Sequence, residues 1–250
     1  MSDVSIRSES GSGRALRVLI IVPAYNEEGS VGDVVREIRE HLPDTVPVVI
    51  DDGSSDGTAV EAAESGARVV RLPFNTGIGT TVQTGFKLAD REGFDVAVQV
   101  DGDGQHPPLE VTRLLEILRT TDANYVIGSR FAEETGYRAP IGRRGGITVF
   151  ARLVSLLTGQ QLTDTTSGLR AADRATIRLF AEHYPHDYPE VEALVLAKRA
   201  GLTIREVPVE MRHREAGRSS ITPLKSAYYM IKVTLAVLVQ FLGRNPTPKQ

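Results

Sequence analysis

The chain alternates between short apolar runs and longer segments in which apolar residues recur at helical spacing. The apolar runs are rich in β-branched residues, as is typical of strands buried on both faces, and they occupy residues 17–22, 46–50, 67–72 and 96–100. The helical segments lie between them, at residues 30–41, 58–65 and 80–91. Because strands that alternate with helices are joined by crossovers, this pattern predicts an α/β fold with a mostly parallel sheet flanked by helices.

The second half of the chain has fewer regular segments. We predict a strand at residues 125–128, a helix at 147–157 and a helix that gives way to a strand within 199–209. Residues 224–242 are largely apolar but contain Lys225 and Lys232, a pattern that favours an amphipathic interfacial or packing helix over a membrane-spanning one. The expected organisation is a disordered leader at 1–16, a main domain at 17–222 and a C-terminal helix and tail at 223–250.

Polar clusters follow three of the predicted strands. They are residues 23–28 (PAYNEE), residues 51–58 (DDGSSDGT) and residues 101–105 (DGDGQ). Ligands of open parallel sheets bind beyond the carboxyl ends of the strands, so the three clusters are expected to converge on one edge. This edge is the predicted functional site.

Composition narrows the chemistry available at that edge. The chain has 250 residues and no cysteine, which excludes disulfides, thiolate metal sites and cysteine nucleophiles. A bound metal would therefore be a hard ion such as Mg²⁺ or Mn²⁺ held by oxygen ligands. The net charge is −3, but 8 of the 29 Lys and Arg residues and only 3 of the 32 Asp and Glu residues lie from Arg205 onward. This basic C-terminal region indicates a surface that meets phosphates or lipid head groups.

Two nucleotide-binding classes are excluded by motif. A nicotinamide-dependent dehydrogenase would carry Gly-x-Gly-x-x-Gly after its first strand, where this chain has PAYNEE, and the P-loop motif GxxxxGK[ST] is absent.

The candidate metal ligands are Asp101, Asp103 and Gln105. Alternate positions just beyond a strand can direct several oxygens at one divalent cation, which would bridge the diphosphate of a ligand. The alternative is a solvated Asp-Gly turn between two elements, and His106, before two prolines, is expected to be a loop residue.

The candidate nucleoside contacts come from the first two clusters. Tyr25 can pack on a base or ribose, Glu27 and Asp52 can accept hydrogen bonds from them, and Gly53 permits a tight turn. Ser55 or Asp56 could instead cap the following helix, and both roles can hold at once, with Asp52 facing the base and Asp56 capping.

Taken together, these motifs resemble the family-2 glycosyltransferases of the GT-A fold, in particular the dolichyl-phosphate mannose synthase-like branch. The resemblance covers residues 17–222 and extends to GSR at 128–130, DTTSGLR at 164–170 and EVPVEMRHREAGRSS at 206–220. It implies a GT-A catalytic domain with nucleoside contacts from Pro23, Tyr25, Glu27 and Asp52. It also implies metal and diphosphate contacts from Asp101, Asp103 and Gln105, and phosphate-binding roles for Arg130 and Arg214.

The resemblance further implies the reaction and its partners. The implied reaction is inverting transfer of a sugar from a UDP- or GDP-sugar to a polyprenyl phosphate, at the cytoplasmic face of a membrane. The implied protein partner is a small membrane protein or a second copy of this chain, and no nucleic acid is involved. The lysine-free segment at 75–79 (NTGIG) is similar to the polyprenyl-phosphate branch, whereas Ser220 replaces a lysine usual in the last motif.

The acceptor determines whether a catalytic base is needed. A phosphate acceptor needs cations, for which Arg143, Arg144, Arg214 and Arg218 are candidates, and Asp164 is expected to be structural or on the acceptor side. A hydroxyl acceptor would instead need a base, drawn from Asp164, Glu190 and Glu192. A scaffold that binds the nucleotide sugar without turnover is the non-enzymatic alternative.

Overall fold

The computed structural model describes residues 15–130, 155, 159, 162–212 and 232. Within these residues, one sheet of seven strands has the order β3-β2-β1-β4-β6-β5-β7. The strands are β1 (Val18–Ala24), β2 (Thr45–Asp51), β3 (Arg68–Arg71), β4 (Val96–Gln99), β5 (Tyr125–Ser129), β6 (Arg170–Ala172) and β7 (Ile204–Pro208). The helices are α1 (Val31–His41), α2 (Thr58–Glu64), α3 (Ile78–Arg91), α4 (Val111–Thr120), α5 (Arg174–His183) and α6 (Pro189–Arg199), with a short 3-10 helix (Pro108–Glu110) before α4.

The sheet is mostly parallel, which confirms the predicted fold class. Strands β1 to β4 run parallel to one another, and β5 runs parallel to β7. The exception is β6, which is antiparallel to both β4 and β5. Since β2 and β4 lie on opposite sides of β1, the chain reverses its direction of winding there, and a crevice opens at the carboxyl ends of β1 and β4.

Strand β1 continues through Pro23, where the sequence predicted its end. The carbonyl of Ile21 accepts from Val100 and that of Ala24 accepts from Asp52, so alternate residues face β4 and β2. Pro23 therefore faces the β4 side, beyond Gln99, the last residue of β4 paired with β1. No ladder hydrogen bond is lost to the proline at this position, and the strand extends into the site.

Alternating side chains of the sheet build one core on each face. Leu19, Ile21 and Ile50 pack with α3, α5 and α6, where Phe86 and Phe180 meet edge to face at 5.1 Å. On the other face Ile20 and Val22 pack with α1 and α4. With both faces covered, ligands can reach the sheet only at its edges.

Three sequence predictions concern parts of the chain that the structure does not describe. The leader, the helix at 147–157 and the C-terminal helix at 224–242 all lie, wholly or nearly so, outside the described residues. Among the residues that are described, no helix has both the length and the apolar character needed to cross a bilayer.

Candidate functional site

A cavity of about 320 Å³ lies at the carboxyl edge of the sheet, in the crevice between β1 and β4. Six of the predicted site residues line it: Pro23, Tyr25, Glu27, Asp52, Asp101 and Asp103. Its other lining residues are Ala24, Asn75, Gly77, Ile78, Thr81 and Gly102. The structure thus brings the three polar clusters together and adds the segment after β3, to which the sequence had assigned no contact.

Asp52 connects the ends of β2 and β3. One carboxylate oxygen accepts from the backbone N–H and the hydroxyl of Thr76, at 2.7 and 2.8 Å, and the other accepts from Gly77 N–H at 2.9 Å. The side chain is nearly buried and still borders the cavity. It therefore shapes the cavity wall as well as offering an acceptor to a ligand.

Gly53 makes the tight turn that the sequence predicted, with φ of 72°. A Cβ atom there would lie 2.6 Å from the backbone carbon of Phe74, so only glycine lets the loop after β3 pack this closely. Gly53 does not line the cavity in the structure, and its contribution to the site is this close packing.

Asp101 and Asp103 present carboxylates to the same cavity. Burial raises the pKa of Asp101, and the negative charge of Asp103 raises it further against the opposing effects of His106 and Arg170. The Asp101 side chain is 34% exposed, through its opening to the cavity. Two carboxylates crowded in this way favour a bound cation, because it relieves their repulsion.

The donor set fits a hard cation that keeps open coordination positions. Asp101 and Asp103 line the cavity, whereas Gln105 does not, although its backbone N–H donates to Asp103 Oδ1 at 3.1 Å. No group of three or more His, Cys, Asp and Glu side chains within the described ranges is arranged to hold a metal ion by itself. An ion here would take further oxygens from a bound diphosphate or water, as Mg²⁺ commonly does.

His106 lies in the loop after β4, as the sequence predicted, but it is buried beside Asp101. Its Nε2 lies 3.7 Å from Asp101 Oδ2, and its Nδ1 is buried without a hydrogen-bond partner in the described part of the chain. Burial lowers the pKa of His106, against the attraction of Asp101. Asp101 belongs to the same loop, and the sequence alone does not show that this loop buries the imidazole.

Arg130 and Asp164 form a buried ion pair away from the cavity lining. Arg130 Nε and Nη2 donate to the two carboxylate oxygens of Asp164 at 2.5 and 2.7 Å, and the backbone N–H of Arg130 adds a third bond at 3.1 Å. Burial alone would raise the pKa of Asp164, but the hydrogen bonds and charge of Arg130 outweigh it and lower this pKa. Asp164 is consequently a weak proton acceptor.

Glu190 and Glu192 lie in the first turn of α6. Burial raises the pKa of both carboxyls, and the nearby Arg170 opposes the shift at Glu190. Neither residue lines the cavity. The remaining predicted cations Arg143, Arg144, Arg214 and Arg218 lie outside the described residues.

Arg170 is a fully buried cation to which the sequence analysis gave no role. It donates to the backbone carbonyls of Thr165, Ser167 and Glu190 and to the Tyr125 hydroxyl. These bonds fix the turn before β6, whose Gly168 packs directly on Asp101. Arg170 thereby supports one side of the carboxylate pair.

Comparisons with known proteins identify the family of the chain. The sequence model of the protein family described as Glycosyl transferase family 2 matches residues 19–178. An undecaprenyl-phosphate mannosyltransferase of Micrococcus luteus is 33% identical over 83% of this chain and 88% of its own. A UDP-N-acetylglucosamine–dolichyl-phosphate N-acetylglucosaminyltransferase of Methanococcus voltae is 30% identical over 79% of this chain and 86% of its own.

A solved structure supports the fold. Glucosyl-3-phosphoglycerate synthase from Mycobacterium tuberculosis, crystallised with Mn²⁺, uridine diphosphate and phosphoglyceric acid, has a TM-score of 0.69 and 24% identity, covering 94% of this chain and 80% of that one. The architecture is therefore GT-A-like. From the family match and the curated relatives, the chain belongs to glycosyl transferase family 2 and is a glycosyltransferase.

Proposed function

We propose that this enzyme transfers a sugar, with inversion, from a UDP- or GDP-sugar to a polyprenyl phosphate. The observation that carries the proposal is the single cavity in which Asp101 and Asp103 face the same space as Tyr25, Glu27 and Asp52. Relatives with 30% and 33% identity are named for dolichyl-phosphate and undecaprenyl-phosphate transfer, which supports the acceptor class.

The donor half of the proposal assigns a role to each lining residue. Tyr25, whose side chain is 46% exposed, packs on the base or ribose, and Glu27 and Asp52 accept hydrogen bonds from the nucleoside. Asp101 and Asp103, with Gln105 bonded to Asp103 through its backbone N–H, would hold Mg²⁺ or Mn²⁺, which would neutralise charge on the departing diphosphate. Both ions occur with uridine diphosphate in structures of the M. tuberculosis synthase.

In the transfer itself, an acceptor phosphate oxygen attacks the anomeric carbon. The bond from that carbon to the donor diphosphate breaks, and the nucleoside diphosphate leaves with the electron pair. A phosphate monoester is already mostly ionised at neutral pH, so no protein base is required. The pairing of Asp164 with Arg130 supports this reading, because the carboxylate with the lowered pKa is poorly suited to accept a proton from a hydroxyl.

The acceptor half of the proposal relies on cations. Arg130, Arg143, Arg144 and Arg214 are proposed to hold the acceptor phosphate, with Asp164 orienting Arg130.

A polyprenyl phosphate resides in a membrane, so the enzyme would act at a membrane surface, on the cytoplasmic face where nucleotide sugars are available. The basic residues from Arg205 onward suit an anionic surface of this kind.

The test is release of nucleoside diphosphate from a panel of UDP- and GDP-sugars with Mg²⁺ or Mn²⁺, with and without a short-chain polyprenyl phosphate in detergent. Release that depends on the lipid phosphate is the expected result and also identifies the donor. Consumption of a donor only with a hydroxyl acceptor would refute the acceptor assignment and redirect attention to Glu190.

Asp103→Ala tests the metal assignment. Within the described ranges, its carboxylate accepts one hydrogen bond, from the nearby Gln105 N–H at 3.1 Å, so the fold should survive the substitution. Turnover is expected to fall by at least about 100-fold, the scale on which loss of transition-state charge stabilisation acts. Asp44→Ala, at an exposed position before β2, is the control and should retain full activity. Activity of Asp103→Ala close to the wild-type rate would refute the metal role.

A further inference from the structure

We propose that Asn26 is a positioning residue for the donor: it fastens the loop after β1 to the loop after β2 and so holds Tyr25 and Glu27 in the cavity. This inference rests on the proposed function, because it presumes that the cavity binds a nucleoside diphosphate sugar. Asn26 is not among the residues that line the cavity. Its effect would pass entirely through its two neighbours.

The backbone at Asn26 is the first observation. With φ of 53°, it is the one residue other than glycine, within the described ranges, that has a positive φ. Asparagine tolerates this left-handed conformation better than most residues, yet the conformation still requires support from its surroundings. It lies between Tyr25 and Glu27, both of which border the cavity. The left-handed backbone conformation of Asn26 therefore sets the direction in which the Tyr25 and Glu27 side chains leave the backbone.

The side chain of Asn26 supplies that support. Its Oδ1 accepts from the backbone N–H of Ser55 at 3.0 Å and from the Ser55 hydroxyl at 3.3 Å. In return, the backbone N–H of Asn26 donates to the Ser54 hydroxyl at 3.0 Å. Hydrogen bonds thus run in both directions between the two loops at this one residue.

The residues that follow Asn26 continue the same connection. Glu27 N–H donates to the Thr58 hydroxyl at 2.8 Å. Glu28 N–H donates to Asp56 Oδ2 at 3.3 Å, and Glu28 Oε2 accepts from Gly57 N–H at 2.9 Å. The loop after β1 therefore meets the loop after β2 along its length, and Asn26 makes the bond nearest to Tyr25.

The loop after β2 is itself held firmly, which makes it a suitable anchor. Ser54 N–H donates to the buried Asp51 carboxylate at 2.9 Å, and Arg71 Nη2 donates to the Ser54 carbonyl at 2.7 Å. Asp52 in turn binds Thr76 and Gly77. Because the anchor is fixed, the bonds from Asn26 preorganise the ligand-binding loop, and preorganisation strengthens binding by lowering the ordering cost.

Two substitutions separate the backbone conformation from the side-chain bonds. Asn26→Gly keeps access to positive φ but removes Oδ1. Asn26→Asp keeps an oxygen acceptor at the same place, since the two bonds from Ser55 are both accepted by Oδ1 of Asn26. Asn124→Gly is the matched control. That asparagine also bonds across loops, to Thr203 N–H and to Asp173, but it precedes β5 at the opposite edge of the sheet.

The experiment is calorimetric titration of the full chain with UDP and with GDP, each in the presence of MnCl₂, followed by donor kinetics. Asn26→Gly should raise the Kd of the nucleotide about tenfold, equivalent to about 1.4 kcal/mol. It should raise the KM for the donor similarly while changing kcat at saturating donor less than about twofold, because ground-state and transition-state binding are lost together. Asn26→Asp should restore most of the affinity, and Asn124→Gly should leave it unchanged.

The outcomes distinguish this inference from the function on which it rests. If the wild type binds UDP or GDP and Asn26→Gly binds it equally well, Asn26 has no positioning role. An equal loss of affinity in Asn124→Gly would also overturn the inference, since the effect would then be one of general stability. If the wild type binds neither nucleotide, the proposed function itself fails, and the inference fails with it.

Discussion

At Gly168, the lack of a side chain is what allows Asp101 to occupy its position at the cavity. A Cβ atom at Gly168 would lie 2.0 Å from Asp101 Oδ2 and 2.4 Å from its Cγ, far inside contact distance. The turn that carries Gly168 is fixed by the buried Arg170, which donates to the carbonyls of Thr165 and Ser167. The overlap could therefore be relieved only by moving the Asp101 carboxylate.

We predict that Gly168→Ala reduces kcat/KM by about 100-fold, the loss expected when a catalytic group is displaced by about 1 Å. The measurement is donor turnover, with circular dichroism to confirm that the fold is retained. Gly93→Ala, at the opposite edge of the sheet, is the control. The φ of Gly93 is +72°, so the change strains the backbone, but the nearest atom to the new Cβ would be 3.9 Å away. Unchanged activity in Gly168→Ala would contradict the steric argument.

The sequence could predict the carboxylates of this site but not their immediate neighbours. Asp101 and Asp103 follow a continuous apolar run, and parallel strands bring such residues to one edge. Arg170, by contrast, is buried through contacts with residues distant in the sequence, such as the carbonyl of Glu190, and the burial of His106 has no signal in the sequence around it. A buried ionisable side chain has no local pattern of its own, because its partners determine whether its burial is tolerated.

Among the elements, α1 and α2 are joined by a cap that one helix provides for the other. Ser30 precedes α1 and makes no side-chain cap to it. Instead Glu61 of α2 accepts from Gly29 N–H at 2.6 Å and from Gly32 N–H at 3.1 Å. These are backbone donors at the start of α1 that have no partner within the helix, and a carboxylate also complements the helix dipole there.

We predict that Glu61→Ala lowers the free energy of unfolding by about 1–2 kcal/mol, the cost of losing an N-terminal cap. Urea unfolding measures the change. Glu64→Ala, at an exposed position on the same helix, should be nearly neutral. Equal effects of the two substitutions would show that helix α2 alone, rather than its bond to α1, is responsible.

The pair formed by Arg130 and Asp164 joins the end of β5 to the turn before β6. Asp164 is fully buried, and the lowered pKa of its carboxyl means that the folded protein favours the ionised form. The stabilisation is therefore fully present above the unfolded pKa of about 3.9 and is lost as the pH falls through the lower folded value.

We predict that Asp164→Asn costs about 3–5 kcal/mol of unfolding free energy at pH 7, because Arg130 loses the buried carboxylate that accepts from its Nε and Nη2. The difference from the wild type should shrink as the pH falls from about 4 towards 2, as measured by urea unfolding. Asp122→Asn, in the exposed pair with Arg205, is the comparison and should change stability little. A difference that stays constant over this pH range would contradict an ionised Asp164.

Over the whole molecule, ligand binding at the cavity should stabilise the fold, because the cavity is built by residues from four strand ends. We predict that a nucleoside diphosphate with Mn²⁺, at about 100 times its Kd, raises the free energy of unfolding by about 2.7 kcal/mol. For a chain of this size, this corresponds to a rise of roughly 5–10 °C in Tm. Thermal unfolding with UDP and with GDP, each with and without Mn²⁺, checks this. Asp103→Ala should abolish the part that depends on the metal, and no rise with either nucleotide would contradict donor binding.

The overall architecture was predictable where strands are continuous apolar runs. Strands β1 and β2 and helix α1 between them lie close to their predicted positions. Strand β6 was missed, because it is only three residues long and begins with Arg170, so it has no apolar run to detect. Its pairing comes from tertiary contacts with β4 and β5, and these override local propensity.

The reversed direction of β6 has a consequence for protein engineering. Strand β5 ends at the cavity edge, and β6 starts from that same edge because it runs antiparallel to β5. Residues 130–169 therefore leave and re-enter the sheet on one side, and the Arg130–Asp164 pair joins the two ends of the excursion. We predict that exchanging this segment for that of a homologue leaves the strands of the sheet in place, provided that Asp164 and Gly168 are kept, because they contact Glu206 and Asp101. We propose that such an exchange would transfer the part of the acceptor preference that depends on Arg130, Arg143 and Arg144, while the cavity at the ends of β1 to β4 keeps its own residues.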